Sequence, residues 1–209
     1  MKKVIVLLLL LASSLAYCQK KEYYLNDDFI YISKSEFETK HDHPAGYSLR
    51  FESDTAVTFL KVSRIKRGQI KLNLLDSIKR AFSDNGKRTI YPDDVLIINY
   101  YPGNDLSSSN NYKEHFKKRH KQYYRKIENI ANVKQLFVYK SAEGLKHFGT
   151  KIKWQADLDH LIENTFYPVD YPCGGYIIIK SDGSYLSQRG EYCYSEFLIE
   201  EIKEFIGLK

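Results

Sequence analysis

Long apolar stretches, closely spaced cysteine pairs and the common catalytic motifs are all missing from this chain. After Ala12, no apolar run approaches the roughly 20 residues that a membrane-spanning helix needs. The 3 cysteines lie at positions 18, 173 and 193, so no Cys-x-x-Cys pair exists. No nucleotide-binding glycine loop, nucleophile elbow or zinc-protease helix occurs either. The sequence therefore provides no motif for these chemistries, and we expect no cofactor.

The N-terminus has the pattern of a secretory signal peptide. Lys2 and Lys3 precede an apolar run from Val4 to Ala12, and Ala16 and Cys18 fit small-x-small cleavage before Gln19. We therefore expect residues 1–18 to be a signal peptide and the mature protein to be secreted or periplasmic, with no transmembrane segment. A lipidated Cys18 is the alternative, which the bulky Tyr17 disfavours.

Composition indicates a folded protein with β structure. The chain has 18 Tyr and 11 Phe, which is too aromatic for a disordered protein. Its formal charge of +6 falls to +4 without the leader, which removes two lysines and no acid. About 190 residues suit one domain with an extension. We expect an N-terminal β-rich extension with one helix over 19–90 and a second domain over 91–209.

The extension alternates apolar and polar residues in short segments. Phe29–Ile32, Tyr47–Phe51 and Ala56–Val62 are predicted strands. Gly68–Phe82 carries an apolar stripe at helical spacing and ends before Ser83-Asp84-Asn85-Gly86. We expect this section to pack on the sheet that follows it in the chain.

The second half alternates strands and helices in a regular order. Its predicted elements are a buried strand Val95–Tyr101, a long helix after Asn111, a strand Val133–Tyr139, a helix Ala156–Phe166, a hairpin at Asp182-Gly183 and a helix Ser195–Ile206. This order resembles the thioredoxin-like superfamily, over roughly residues 94–207. The resemblance implies an α/β three-layer sandwich with βαβαββα topology. It also implies a cis-proline before the third strand. Pro172 is the candidate for this position, and Pro168 is the alternative.

The chain departs from this family at the turn where the redox cysteines belong. After the first strand it runs Pro102-Gly103-Asn104-Asp105-Leu106-Ser107, with no cysteine through Asn110. In thioredoxins a helix N-terminus at this turn lowers the pKa of the nucleophilic cysteine. We therefore interpret Pro102, Gly103, Asn104, Asp105 and Ser107 as a degenerate active-site loop. No catalytic residue is predicted.

Cys173 and Cys193 are an even pair in an oxidising compartment. If Asp182-Gly183 is a two-residue loop, Ser181 faces Ser184 and Cys173 faces position 192, one residue from Cys193. A disulfide at the base of the hairpin would stabilise the fold by about 3 kcal/mol on the chain-entropy model. A structural bond is our first interpretation, and a redox-active pair is the alternative.

Two other patterns are better explained by solvated surface. Basic residues crowd the long helix from Lys113 to Lys126, as in a solvated face, so nucleic acid is not an expected partner. His41-Asp42-His43 has spacing that a metal site can use, but the sequence identifies no third ligand, so no metal is predicted.

The function predicted from sequence is a non-catalytic, thioredoxin-like secreted or periplasmic protein that acts as a binding or structural module. Its partner is unknown and could be a protein or peptide. The alternative is a thiol–disulfide oxidoreductase that uses Cys173 and Cys193.

Overall fold

The chain folds as two compact units. The computed structural model describes residues 20–39, 46–83, 89–103, 123–127, 129–130, 132–148, 150, 152–190 and 196–207. The first unit runs from Met1 to Ser63 and the second from Arg64 to Lys209. No described helix is both long and apolar enough to cross a membrane. The fold is mixed α/β with two sheets.

The first unit is a three-stranded sheet with one short helix. Its elements are β1 Lys21–Leu25, α1 Lys34–Glu38, β2 Tyr47–Glu52 and β3 Ala56–Val62. β3 lies in the centre, parallel to β1 and antiparallel to β2. Leu60 and Val62 are buried, and the rings of Tyr24 and Phe59 stack with centroids 5.3 Å apart. This section thus has its own sheet, and its packing on the later sheet stays a prediction.

The second unit contains a six-stranded sheet. Its strands are β4 Ile65–Gln69, β5 Val95–Tyr101, β6 Val133–Tyr139, β7 Trp154–Ala156, β8 Gly175–Ile179 and β9 Ser184–Arg189. The strand order is β4-β9-β8-β5-β6-β7. β5 is parallel to β6 and β6 to β7, whereas β8 is antiparallel to β5 and β9, and β4 is antiparallel to β9. Since β5 and β8 are central, both faces of these strands are buried.

Helices of the second unit follow the predicted apolar stripes. They are α2 Leu72–Phe82, a helical segment at 123–127, 3-10 helices at Leu145–Phe148 and Leu158–His160, α3 Leu161–Phe166 and α4 Glu196–Ile206. The core cluster joins the segment at 123–127 and α4 to the sheet through Ile97, Tyr123, Ile127, Tyr176, Ile178, Leu186, Ile199 and Ile202. The apolar faces predicted for these two helices therefore pack in the hydrophobic core.

The strand β4 differs from the predicted start of the helix and of the second domain. The sequence prediction began a helix at Gly68 and a new domain at residue 91. In the structure Gly68 lies in β4, opposite Tyr185 of β9, and the helix begins at Leu72. β4 was not predicted because it lies at the edge of the sheet and carries Lys66 and Arg67. Residues 64–90 accordingly belong to the second unit.

The loop of the predicted hairpin has three residues instead of two. The backbone N–H of Lys180 donates to the carbonyl of Ser184 at 2.9 Å, and Gly183 adopts a φ of 84°. A turn that ends in a left-handed glycine is the usual three-residue hairpin. The predicted two-residue loop is therefore one residue too short. Gly175 pairs with Arg189, so the same register places Cys173 opposite position 191.

Candidate functional site

Three chain segments meet at one edge of the six-stranded sheet. β5 and β6 are parallel, so Pro102 and Lys140, which follow these strands, lie at the same edge. β8 runs in the opposite direction, and its first residue, Gly175, pairs with Tyr100. The loop before β8 therefore returns to this edge. Loops at the carboxyl ends of parallel strands are the usual ligand-binding place in open α/β sheets.

A tight turn at Tyr171–Gly174 introduces β8. The Gly174 N–H donates to the Tyr171 carbonyl at 3.4 Å, and Cys173 and Gly174 have φ values of 63° and 73°. A proline followed by a residue of positive φ is the pattern of a type II turn, with Pro172 in its favoured position. No described peptide bond is cis, so the predicted cis-proline at Pro172 or Pro168 is not found. The turn reverses the chain through Cys173 and Gly174.

Gly174 is packed directly against the end of β5. A Cβ atom at this position would collide with the backbone oxygen of Tyr100 and lie 2.8 Å from Cδ of Pro102. Pro102 of the predicted degenerate loop and the Cys173 turn therefore lie against each other. The two segments border the same site.

A small cavity opens at this edge. Its volume is about 210 Å³ when the part open to solvent is included. It is lined by Tyr100, Pro102, Lys140, Glu163, Tyr167, Val169, Asp170, Tyr171 and Gly174. Sites for whole drug-sized ligands usually begin at about 300 Å³. This cavity therefore fits one chemical group of a ligand.

One wall of the cavity is a network of charged side chains. The Lys140 ammonium lies 2.7 Å from Oε1 of Glu163 and 2.9 Å from Oδ1 of Asp170. Nδ1 of His160 lies 2.7 Å from the other Glu163 oxygen. Hydrogen bonds to Glu163 and then Asp170 raise the pKa of Lys140. Burial favours the neutral form of Glu163, but its bonds to Lys140 and His160 outweigh this and lower its pKa.

Asp157 holds the helix that carries Glu163. Its two carboxylate oxygens accept backbone N–H bonds from Ile162 and Glu163, both at 2.9 Å. The sequence analysis did not count Asp157 among its sites, and it is a capping residue in the structure. Burial raises the pKa of this carboxyl, and the two backbone bonds oppose that shift.

Tyr100 is one of the residues that line the cavity. Its ring stacks on Tyr167 with centroids 4.6 Å apart and planes within 9°. The side chain is 4% exposed, and its hydroxyl has no hydrogen-bond partner in the structure as described. Burial raises the pKa of Tyr100, and so do the negative charges of Glu163, Asp157 and Asp170. The hydroxyl is therefore a neutral, buried polar group close to carboxylates.

Arg189 supports the opposite side of the Cys173 turn. It is 1% exposed, its Nη1 donates to the Tyr171 hydroxyl at 3.4 Å, and its guanidinium lies 5.4 Å from the Tyr171 ring centre. A cation at this distance over an aromatic face is attracted to it. Tyr171, which lines the cavity, is thus fixed between the turn and the last strand.

The structure describes only part of the set predicted from sequence. Pro102, Gly103, Pro172 and Cys173 lie at the edge just described, and Cys173 is half-buried. Outside the described residues lie Asn104, Asp105, Ser107, Cys193, His41, His43 and most of the basic helix. The proposed Cys173–Cys193 bond therefore stays a prediction. Within the described ranges, no three His, Cys, Asp or Glu side chains are grouped as metal ligands.

Apart from Pro102, the cavity residues were not predicted from sequence. Tyr100, Lys140, Glu163 and Asp170 come from four separate segments, and no spacing links them. One signal was present: Lys140 follows a strand that was predicted to be parallel to β5, so its place at this edge could have been inferred.

Comparison with known proteins identifies no family. No family model and no curated protein matches the chain. Among solved structures, the chain is similar to BsSco, a member of the Sco family of cytochrome c oxidase assembly proteins, in which a disulfide switch was identified. The match has 16% identity and a TM-score of 0.35, and it covers 56% of this chain and 83% of BsSco. A similarity this weak carries no argument about function.

Proposed function

We propose that residues 64–209 are a thioredoxin-like domain that works as a non-catalytic binding module. The strand pairing supports this: β5 and β6 pair in parallel, as in a βαβ unit, and the β8–β9 hairpin pairs with β5. These are the pairings that a βαβ unit followed by a hairpin requires. The proposal extends the resemblance in the sequence to the arrangement of the sheet.

A single observation carries the binding function. The edge that would hold the redox cysteines has a small cavity bordered by the ion pairs of Lys140 with Glu163 and Asp170, while positions 102–110 contain no cysteine. A disulfide oxidoreductase needs a thiolate nucleophile. A cavity with polar groups and no such nucleophile favours recognition over disulfide exchange.

Insulin reduction with dithiothreitol as the electron source tests this proposal. We expect the chain to give the rate of the reductant alone, while an active thioredoxin assayed in parallel precipitates insulin rapidly. A variant that restores cysteines at Asn104 and Ser107, spaced as in a Cys-x-x-Cys pair, provides the matched gain-of-function control. A rate for the unaltered chain comparable with that of thioredoxin would refute the non-catalytic assignment.

The alternative function is thiol–disulfide exchange through Cys173 and Cys193. Its supporting observation is the position of Cys173, half-buried in the turn that packs against Pro102. This hypothesis predicts that glutathione-level reductant opens a Cys173–Cys193 bond and that one thiol then reacts with iodoacetamide near pH 7. A bond that resists glutathione would support a structural disulfide instead.

The proposed location is secreted or periplasmic. The support is the sequence pattern before Gln19, because the structure does not describe residues 1–19. Intact-mass analysis of the protein released by a secreting host should give a chain that begins at Gln19. A mass that includes Cys18 with attached acyl chains would establish a lipoprotein.

A further inference from the structure

The strand β2 lies at an edge of the first sheet, and its outer side is open. Among the described strands it pairs with β3 alone. The N–H of Ser53 donates to the carbonyl of Ala56 on the β3 side. Because backbone groups point to alternate sides along a strand, those of Ser48, Arg50 and Glu52 point away from β3. None of these groups bonds to another residue in the part of the chain that the structure describes. They form a template on which a further strand can pair.

The side chains of β2 are exposed as well. Phe51 is 41% exposed, and the side chains of Arg50 and Glu52 are 55% and 40% exposed. Phe51 lies on one face of the sheet, and Arg50 and Glu52 lie on the other. Edge strands that are guarded against pairing usually carry lysine, proline or a bulge, and none of these interrupts β2. The strand can therefore pair with another chain.

The other edges of the described sheets are less suited to such pairing. The outer side of β1 is partly occupied, because Ile32 donates its N–H to the Tyr24 carbonyl at 2.9 Å. The strand β4 carries Lys66 and Arg67 and no acid, so two copies of it would repel each other. The strand β7 has only 3 residues. In contrast, β2 combines 6 residues with charges of both signs.

Charge selects the occupant of the β2 edge and its register. When two β2 strands pair antiparallel, the hydrogen-bonded positions match residues whose backbone groups point outward. A register centred on Arg50 or on Glu52 places like charges opposite each other, and one centred on Leu49 places Arg50 opposite Ser48. A register centred on Phe51 places Arg50 opposite Glu52 of the second copy, and twofold symmetry forms this pair twice. The strand is therefore complementary to a second copy of itself.

The charged side chains retain capacity for this contact. Arg50 Nη1 lies 2.5 Å from Oε2 of Glu52 in the same strand, and Lys20 binds Oε1 of that carboxylate at 2.7 Å. A guanidinium has further N–H donors, and each carboxylate oxygen can accept a second hydrogen bond. On the opposite face, the two Phe51 rings would meet at a non-hydrogen-bonded position, where side chains are closest.

We propose that two copies of this protein associate by antiparallel pairing of their β2 strands, in the register centred on Phe51. This association concerns the first unit and goes beyond the function proposed for residues 64–209. The pairing joins two three-stranded sheets into one continuous sheet across the twofold axis.

Sedimentation velocity of the purified protein over a range of concentrations tests the proposal. We expect a monomer–dimer equilibrium at low ionic strength that weakens as salt is added, because exposed ion pairs are screened. Arg50→Glu and Glu52→Arg should each weaken the dimer at least about tenfold, because each replaces the attractive pairs by repulsive ones. An equimolar mixture of the two variants should regain the association, because the acidic strand of one then faces the basic strand of the other.

Two control variants and a cross-link complete the experiment. Lys21→Glu and Glu38→Arg make the same changes of charge at exposed positions of β1 and α1, and both should leave the association unchanged. Phe51→Cys reports the register, because Cα atoms at a non-hydrogen-bonded position are about 4.5 Å apart, within reach of a disulfide. Mild oxidation should link two copies through position 51, whereas Leu49→Cys, on the same face of the strand, should link far less.

Three results would overturn the inference. They are a monomer at protein concentrations up to about 1 mM, no regain of association when the two charge variants are mixed, and equal weakening by the control variants. A monomer would leave the edge to a strand of a different protein. Circular dichroism shows whether each variant is folded, and if a charge variant is not, absence of the cross-link at position 51 contradicts the register.

Discussion

Replacement of Tyr100 by phenylalanine should stabilise this protein. The substitution removes only the hydroxyl, which is buried and has no hydrogen-bond partner in the structure as described, and it keeps the ring that stacks on Tyr167 at 4.6 Å. No packing contact of the ring needs to change. The variant therefore isolates the free-energy cost of one buried polar group.

The magnitude follows from the desolvation of that hydroxyl. A buried polar group left without a partner costs about 1–3 kcal/mol relative to its state in water. Because Tyr100 is 4% exposed, little of that cost is relieved by solvent. We expect the free energy of unfolding to rise by about 1 kcal/mol in Tyr100→Phe, which for a protein of this size raises Tm by about 2–4 °C.

The same substitution at Tyr176 is the matched control. Tyr176 is 2% exposed, lies on the neighbouring strand β8 and donates its hydroxyl to the Glu201 carboxylate. Hydrogen bonds to charged groups contribute about 1.5–3 kcal/mol. Urea unfolding followed by circular dichroism should therefore give a free energy lower by about 2 kcal/mol for Tyr176→Phe and higher for Tyr100→Phe.

Opposite signs at two equally buried tyrosines are the decisive result. If Tyr100→Phe destabilises the free protein by 1 kcal/mol or more, the hydroxyl makes a favourable bond, and the reasoning from an unpartnered group is refuted. If the two variants are equally destabilised, the Tyr100 hydroxyl contributes as much to stability as the bonded Tyr176 hydroxyl. The second outcome contradicts the prediction as well.

Three further predictions concern the same edge of the sheet. Gly174→Ala should cost at least about 2 kcal/mol in urea unfolding because its Cβ would strike Tyr100, whereas Gly207→Ala, with φ of 81° and open space, should cost about 1 kcal/mol. Glu163 has a lowered pKa in the folded state, so the stability it contributes is present above its ordinary pKa of 4.5 and is lost as the pH falls below that value. The Tm of Glu163→Gln should therefore decrease less than that of the unaltered chain when the pH is lowered below 4.5. An equal decrease in Tm for both proteins would contradict the assignment. Denatured protein should carry two more alkylatable thiols after reduction than before it, if Cys173 and Cys193 are bonded; equal labelling would exclude the bond.

Local sequence patterns predicted much of the fold. The apolar stretch of β5 is buried on both faces, and α4 begins one residue from its predicted start. Among the elements that were not predicted, which include β1, α1 and β7, the strand β4 contains Lys66 and Arg67. These charges are tolerated because β4 is an edge strand paired only with β9 among the described strands. Its identity as a strand depends on a partner far away in the chain, which periodicity within a window cannot detect.

The hairpin shows a finer limit of sequence reasoning. Asp182 and Gly183 correctly identify the turn, but the same two residues fit a two-residue loop and a three-residue loop. The choice depends on Gly183 adopting a φ of 84°, with the Asp182 carboxylate accepting the N–H of Ser184 at 2.8 Å. One residue of register then moves the expected partner of Cys173 from position 192 to 191.

The cavity could not be predicted, because its character comes from long-range packing. Lys140, Glu163 and Asp170 look like ordinary surface charges in the sequence, and Tyr100 looks like one more apolar residue of a buried strand. Only the sheet order brings these segments to one edge, where the Tyr100 ring stacks on Tyr167. The lack of cysteine in the adjoining loop can be read directly from the sequence, whereas the side chains that line the cavity at this edge cannot.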